Sequence, residues 1–192
     1  MADRPLGGAV HGEVRAAEPS LVEFIDALAF AAHKHRHQRR KDADASPYIN
    51  HPIELVKVLS AEGLVTERVP LLAALLHDTV EDTETTEAEL AARFGPAVAT
   101  VVMEVTDDQT LPKARRKALQ VEHASHISRE AQLVKLADKI CNLRDVASKP
   151  PSQWSLERRR EYFDWGARVI DGVRGVHPRL EAIFDAAYLL RP

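Results

Sequence analysis

From Ser20 onward, apolar residues recur every three or four positions along almost the whole chain, and this period limits the fold more than any other feature of the sequence. The segment 128–147 illustrates it, because its apolar residues fall on one helical face, whereas a strand would show strict alternation. Neither β periodicity nor an internal repeat is found anywhere. The sequence therefore predicts an all-α protein, a single bundle of about 8–10 helices.

Local signals predict where these helices begin and end. Capping boxes, in which Ser or Thr precedes Glu by three residues, mark helix starts at Ser20 and Thr86. Pro52 suits the first turn of a helix with His51 at its N-cap, and Gly63 ends that helix. The other predicted helices cover about 68–81, 96–106, 111–124, 128–147, 155–172 and 178–190.

The chain of 192 residues is long enough for one domain. Residues 1–19 show no sustained apolar period and are predicted to form a mobile tail, so the domain is expected over 20–192. No apolar run approaches the roughly 20 residues that cross a bilayer, and the N-terminus lacks the apolar core of a signal peptide. The single cysteine, Cys141, cannot form an intrachain disulfide. We therefore expect a cytoplasmic protein that does not interact with membranes.

The charge of the chain bears on its partners. A net charge of −3 argues against nucleic-acid binding, which needs a surplus of Lys and Arg to neutralise phosphates. The basic residues are nevertheless clustered, which fits either two solvated helix faces or the binding of a small, highly charged anion. The clusters are Lys34, Arg36, Arg39, Arg40 and Lys41, and Lys113, Arg115, Arg116 and Lys117.

Four ionisable residues lie within six positions at the end of the most apolar predicted helix: His77, Asp78, Glu81 and Asp82. Carboxylates crowded in this way repel one another, and a divalent cation removes that repulsion. Two imidazoles with two carboxylates would form a mixed site suited to Mn²⁺, Fe²⁺ or Zn²⁺. The further ligands must come from other segments.

Two residues are candidates for those further ligands. His51 lies at a predicted helix start, which fixes its backbone position. Asp138 is the one carboxylate within the apolar surroundings of VKLADKICNL, with Asn142 one turn later on the same face. Taken alone, Asp138 could equally be a buried cap or an ion-pair partner.

A histidine-rich tract, HKHRH, contains His33, His35 and His37. On a helix, residues two apart point to nearly opposite sides, so these three imidazoles cannot converge on one ion. We expect them to face solvent or a bound phosphate.

The order His51, His77-Asp78, Asp138 resembles the H…HD…D pattern of the HD-domain metal-dependent phosphohydrolases. Longer segments are similar to the hydrolase domain of the RelA/SpoT family, above all to its stand-alone small alarmone hydrolases of the type found in animals. These segments are RRKDADASPYINHP, AALLHDTVEDTETT, FG at 94–95, EVTDD at 104–108 and VKLADKICNLRDV. The similarity extends from about residue 20 to 190 and implies an HD-type helical bundle.

The resemblance also implies roles for individual residues. The metal ligands, normally of one Mn²⁺ per chain, would be His51, His77, Asp78 and Asp138. Glu81 and Asp82 would position and deprotonate the attacking water. The substrate contacts would be Arg40, Lys41, Asn142 and Tyr162, together with Arg158, which lies one turn before Tyr162 on the same predicted helix face.

The activity that the resemblance implies is hydrolysis of guanosine 3′,5′-bis(diphosphate) and the corresponding pentaphosphate to GDP or GTP and pyrophosphate, which degrades the alarmone of the stringent response. The expected partner is thus a small guanine nucleotide, and the sequence does not decide whether the protein forms homo-oligomers. One alternative keeps the metal site but acts on the 2′-phosphate of NADPH. Another alternative, of a different class, is a nucleotide sensor or scaffold whose HD site has lost its catalytic activity. The presence of all four ligands and both acidic residues argues against it.

Overall fold

The computed structural model describes residues 18–192, and no β-strand occurs in that range apart from one isolated bridge between Arg39 and Pro47. The all-α prediction is confirmed. Residues 1–17, which make up most of the predicted tail, lie outside the described residues. The helices are α1 Leu21–Lys34, α2 Asn50–Lys57, α3 Arg68–Leu76, α4 Thr79–Asp82, α5 Glu87–Phe94, α6 Pro96–Val105, α7 Lys113–His123, α8 Arg129–Ser148, α9 Leu156–Asp171 and α10 Pro178–Tyr188.

Side-chain caps explain why several boundaries follow the sequence signals closely. The hydroxyls of Ser20 and Thr86 each accept a hydrogen bond from the backbone N–H three residues later, at 3.2 Å in both cases. Ser128 and Ser155 cap α8 and α9 in the same way. Because these contacts are local, the sequence alone can predict them.

Helices α3 and α8 form the centre of the bundle. Every residue of α3 from Pro70 to Leu76 is buried, and α8 packs against α2, α3, α6, α9 and α10. Such all-round burial is typical of helices that are apolar on most faces. The polar residues that these two helices carry are consequently held at fixed positions in the interior. No helix between residues 18 and 192 combines the length and apolar character that crossing a bilayer requires.

The start of α2 differs from the prediction. Ile49 is the N-cap residue and the helix begins at Asn50, so His51 lies in the first turn and not at the N-cap. Its buried imidazole therefore projects from regular helical backbone. The predicted end at Gly63 is correct, although the last turn, Val58–Glu62, is π-helical.

The predicted helix over 68–81 is interrupted near its C-terminus, at His77 and Asp78. Helix α3 ends at Leu76, and a single-turn helix, α4, begins at Thr79. The Thr79 hydroxyl donates a 2.7 Å hydrogen bond to the Leu76 carbonyl, a local contact that competes with continued helix. On a regular α-helix, the side chains of adjacent residues point about 100° apart around the axis. The break instead brings His77 Nε2 within 2.8 Å of Asp78 Oδ2.

The expectation for the histidine-rich tract is wrong at one position. His33 and His37 are exposed, but His35 is buried and lies against Tyr48, with 4.8 Å between the ring centroids. Helix α1 ends at Lys34, so His35 lies in a turn whose side chains do not follow helical geometry.

Two glycines of the bundle should respond oppositely to alanine. A Cβ at Gly63 would lie 2.7 Å from both Leu180 Cδ2 and the Leu59 carbonyl oxygen, so Gly63→Ala should destabilise the protein by about 1–3 kcal/mol. A Cβ at Gly166, within α9, would lie 3.5 Å from Leu143 Cδ2, and Gly166→Ala should stabilise by up to about 1 kcal/mol. Urea unfolding measures both, and a Gly63→Ala variant as stable as wild type would contradict this packing.

Candidate active site

Three helices bring the candidate ligands together. His51 from α2, His77 at the end of α3 and Asp138 from α8 place ligand atoms within 4.8 Å of one another. His51 Nε2 lies 3.3 Å from Asp138 Oδ1, and Asp78 Oδ2 lies 2.8 Å from His77 Nε2. All four residues singled out as ligands in the sequence thus line one cavity of about 200 Å³, called the metal cavity below.

The bonding of His77 indicates that this site suits a cation. Its Nδ1 lies 2.9 Å from the Ala74 carbonyl oxygen, which can only accept a hydrogen bond, so Nδ1 carries the proton. His77 Nε2 is then a buried acceptor without a hydrogen-bond partner that faces the Asp78 carboxylate. Two electron-rich atoms this close require positive charge on or between them.

The ionisation of the site supports the same conclusion. Burial alone would lower the pKa of His77, but the Asp78 carboxylate outweighs it and raises that pKa to about 9. The preference of His77 for the protonated form shows that the environment favours positive charge. A donor set of imidazole nitrogens and carboxylate oxygens fits a divalent transition metal.

Further side chains orient the two carboxylates. Tyr48 donates its hydroxyl hydrogen to Asp78 Oδ2. Asn142 donates to Asp138 Oδ1 at 2.6 Å, and Lys139 donates to Asp138 Oδ2 at 2.7 Å. Burial would raise the pKa of Asp138, but the adjacent Lys139 ammonium holds it well below the usual range. Such partners fix the orientation and the ionised state of metal ligands.

A second cavity, of about 630 Å³, adjoins the first and is called the basic cavity below. The two share Arg40, Tyr48, Asn142 and Tyr162. All the predicted substrate contacts line the basic cavity: Arg40, Lys41, Asn142, Arg158 and Tyr162.

Both basic clusters of the sequence contribute to this cavity. Arg40 and Lys41 come from the first cluster, and Lys113 and Lys117 from the second. Arg115 is instead paired with Glu122 outside it, at 2.8 Å. The convergence of cations from two distant segments favours anion binding over two independent solvated faces.

Aromatic rings form one wall of the basic cavity. The rings of Trp154 and Tyr162 lie 5.3 Å apart, and the Arg158 guanidinium lies 4.6 Å from the Trp154 ring centroid. Flat rings beside cations suit a ligand that combines a planar base with phosphates.

Glu81 and Asp82, adjacent in sequence, line different cavities. Glu81 borders the metal cavity, where its carboxylate accepts hydrogen bonds from the Asp107 backbone N–H at 2.8 Å and from Gln109 Nε2 at 2.6 Å. Burial raises the pKa of Glu81 to about 7. Asp82 borders the basic cavity, and burial followed by the nearby Asp78 raises its pKa.

Three residues that line the metal cavity were not predicted from the sequence: Tyr48, Lys135 and Lys139. Tyr48 lies three residues before His51 in the SPYINHP segment, and this proximity was its only signal. Lys139 directly follows Asp138, and adjacent residues on a helix point in different directions, so the sequence does not predict a contact between them. In the structure, the Lys139 ammonium nevertheless donates a hydrogen bond to Asp138 Oδ2. Lys135 is one turn before Lys139 and lines the metal cavity.

Comparison with known proteins gives consistent findings. Residues 27–163 match the model of the HD domain family. The chain is 54% identical over 160 residues to guanosine-3′,5′-bis(diphosphate) 3′-pyrophosphohydrolase MESH1 of Homo sapiens, which covers 83% of this chain and 89% of that protein. The MESH1 protein of Xenopus tropicalis is 52% identical over 166 residues, covering 86% of this chain and 93% of that protein.

A solved structure is similar as well. It is described as a metazoan ortholog of SpoT that hydrolyzes ppGpp and plays a role in starvation responses. The two chains superpose with a TM-score of 0.86 at 46% identity, covering 92% of this chain and 98% of that one. Fold and sequence thus agree across most of both chains.

The contact between Tyr48 and Asp78 provides a test of the site. Tyr48→Phe removes the hydroxyl that orients Asp78, so the dissociation constant for Mn²⁺, measured by calorimetry, should rise roughly 10–100-fold. Tyr188→Phe is the matched control, because its hydroxyl binds Asp164 at 3.0 Å, away from both cavities. Equal Mn²⁺ affinity in the two variants would contradict a role for Tyr48 in orienting Asp78.

Proposed function

The chain belongs to the HD domain family, and from that premise we propose that it hydrolyses guanosine 3′,5′-bis(diphosphate), and the corresponding pentaphosphate, to GDP or GTP and pyrophosphate. The observation that carries the proposal is the direct connection of a cation site made of two histidines and two aspartates to a cavity lined with cations and aromatic rings. Relatives about half identical over most of their length carry this activity in their names.

The distribution of charge supports a polyanionic substrate. The chain has a net charge of −3, yet Arg40, Lys41, Lys113 and Arg158 all line the basic cavity. A local concentration of cations on a negatively charged protein attracts a small polyanion without favouring nucleic acid in general. The nucleoside end of the substrate would occupy the basic cavity and its 3′ phosphates the metal cavity.

The metal proposed for this site is Mn²⁺, one per chain. His51, His77, Asp78 and Asp138 would hold it, and imidazole ligands suit Mn²⁺ better than the oxygen-preferring Mg²⁺. When bound, a divalent cation offsets negative charge on phosphoryl oxygens and lowers the pKa of water beside it.

Glu81 is the proposed general base. It lines the metal cavity, its carboxylate is oriented by two hydrogen bonds, and its pKa of about 7 is close to a neutral operating pH, as a proton acceptor requires. Glu81 takes a proton from the attacking water, whose oxygen bonds to the inner phosphorus of the 3′ chain. The bond from that phosphorus to the 3′-oxygen breaks, and the 3′-oxygen takes up a proton. Asp82, on the side of the basic cavity, positions substrate and water.

Three further expectations complete the proposal. The HD-type domain spans 20–192, and the protein acts in the cytoplasm, where its one cysteine, the buried Cys141, stays reduced. The partner is the nucleotide itself, with no nucleic acid and no membrane. Two cavities within one chain hold all the proposed site residues.

Product analysis tests the activity. Protein stripped of metal is supplied with Mn²⁺ or Mg²⁺ and given guanosine tetraphosphate or NADPH, and products are identified by phosphorus NMR. GDP and intact pyrophosphate should form in a single step, faster with Mn²⁺, with none formed before metal is restored. Orthophosphate without pyrophosphate would contradict attack at the inner phosphorus, and comparable kcat/KM for NADPH would extend the substrates to 2′-phosphates. No turnover of either nucleotide would favour a retired, nucleotide-sensing site.

The different positions of Glu81 and Asp82 predict different kinetic effects. Glu81→Gln preserves size but removes the proton acceptor, so kcat should fall roughly 10²–10⁴-fold while bound metal is retained. Asp82→Asn is the matched comparison and should raise KM while lowering kcat less than Glu81→Gln does, because Asp82 positions substrate and water from the side of the basic cavity. If Glu81→Gln keeps the wild-type kcat and Asp82→Asn loses it, the general base is Asp82.

A further inference from the structure

Lys135 is a buried cation to which neither the fold nor the proposed reaction yet assigns a role. Only 6% of its surface is exposed, and within residues 18–192 its ammonium forms no hydrogen bond or ion pair. The neighbouring buried lysine, Lys139, is fully paired with Asp138. A buried charge without a partner is costly, so its presence beside a cavity points to an anionic ligand.

The position of Lys135 specifies which part of a ligand it can reach. It lines the metal cavity but not the basic cavity. Among the residues that line only the metal cavity, we call Lys135, Gln120, Val105 and Val134 the inner wall. The side chains common to both cavities form the passage between them: Arg40, Tyr48, Asn142 and Tyr162.

A second polar group of the inner wall also lacks a partner. The Gln120 side chain donates to Asp107 Oδ2 at 2.8 Å, but its buried Oε1 atom accepts no hydrogen bond. Unsatisfied buried polar atoms are rare in folded proteins, and this acceptor indicates that a hydrogen-bond donor, such as water, also occupies the cavity.

The charges facing Lys135 leave it cationic at neutral pH. Burial, followed by the nearby Lys139, lowers the pKa of Lys135, and the more distant carboxylates of Asp138, Asp107 and Glu81 partly offset this, leaving a pKa of about 8. The Lys135 ammonium is therefore charged near pH 7 and destabilises the unliganded fold.

We propose that Lys135 binds the outer phosphoryl group of the 3′-diphosphate and thereby makes the metal cavity selective for diphosphate esters over monophosphate esters. The inference rests on the proposed function. With the nucleoside in the basic cavity and the inner phosphorus beside the histidines and aspartates, the outer phosphoryl group needs a cation of the metal cavity. Arg40 is paired with Asp145 and Lys139 with Asp138, so among the described residues Lys135 is the lysine of this cavity left to bind it. Lys135 takes no part in bond making or breaking, and its contact is present before, during and after the reaction.

Paired nucleotides test this selectivity. Lys135→Met keeps the length of the side chain and removes its charge, and Lys57→Met, an exposed lysine of α2 paired only with Glu54, is the control. The kcat/KM of Lys135→Met for guanosine tetraphosphate should fall roughly 10–100-fold, mostly through KM. The inhibition constant of guanosine 5′-diphosphate 3′-monophosphate, which lacks the outer phosphoryl group, should change by less than about twofold. Equal losses for both nucleotides, or no loss for either, would overturn the proposal.

Binding and stability give readouts that do not depend on turnover. Calorimetry of the Mn²⁺-loaded protein should show that Lys135→Met weakens inorganic pyrophosphate binding roughly 10–100-fold and orthophosphate binding far less. The same substitution should raise the melting temperature, since it removes a buried unpaired charge, whereas a merely structural lysine would lower it. A lower melting temperature, or unchanged pyrophosphate affinity, would refute the assignment. If wild-type protein releases no pyrophosphate from guanosine tetraphosphate, the proposed function fails and calorimetry alone decides the role of Lys135.

Discussion

The balance of charge around two half-buried aspartates is the constraint on which the rest of the structure depends. Asp78 follows α3 and Asp138 lies on α8, and their side chains are only 20% and 17% exposed, so their ionised carboxylates need compensating partners. Lys139 and Asn142 bind Asp138, and Tyr48 binds Asp78. The Tyr48 contact connects the loop before α2 to the break after α3, and the 3.3 Å approach of His51 Nε2 to Asp138 Oδ1 connects α2 to α8. The electrostatic requirement of the site and the packing of the bundle are therefore satisfied together.

Positive charge is distributed in layers outward from this centre. Lys135 and Lys139 are buried beside the metal cavity. The cations that line the basic cavity, such as Arg40 and Lys41, are more exposed to solvent. Many other basic residues are paired on the surface, as Arg93 is with Asp26 and Arg144 with Glu62, and contribute little field at the site. The protein can therefore be acidic overall while its basic cavity holds a local concentration of cations. Low-dielectric walls strengthen that local field.

Features that depend on neighbouring residues could be predicted from the sequence, and features that depend on tertiary placement could not. The caps at Ser20, Thr86 and Ser128 are local, and the helices from α6 to α10 begin and end within two residues of their predicted bounds. The break at His77 escaped prediction because the apolar period continues through it, while the Thr79 hydroxyl decides the backbone path. The proposed metal ligands could be singled out because their residue types are rare in apolar segments. Lysine in a helix is common, which left Lys135 and Lys139 without a signal.

The unsatisfied polar atoms of the interior lie mostly in one place, and this has a physical meaning. Within the described part of the chain, five buried side-chain atoms lack hydrogen-bond partners, and three of them belong to His51, His77 and Gln120, which line the metal cavity. A fourth belongs to His35, which packs against Tyr48, one of the residues that line that cavity. Each such atom costs free energy that the burial of α3 and α8 must offset. Unsatisfied buried polar atoms are tolerated where a ligand provides the missing hydrogen bonds. Their concentration around the metal cavity therefore supports a binding site there, independently of the similarity to known families.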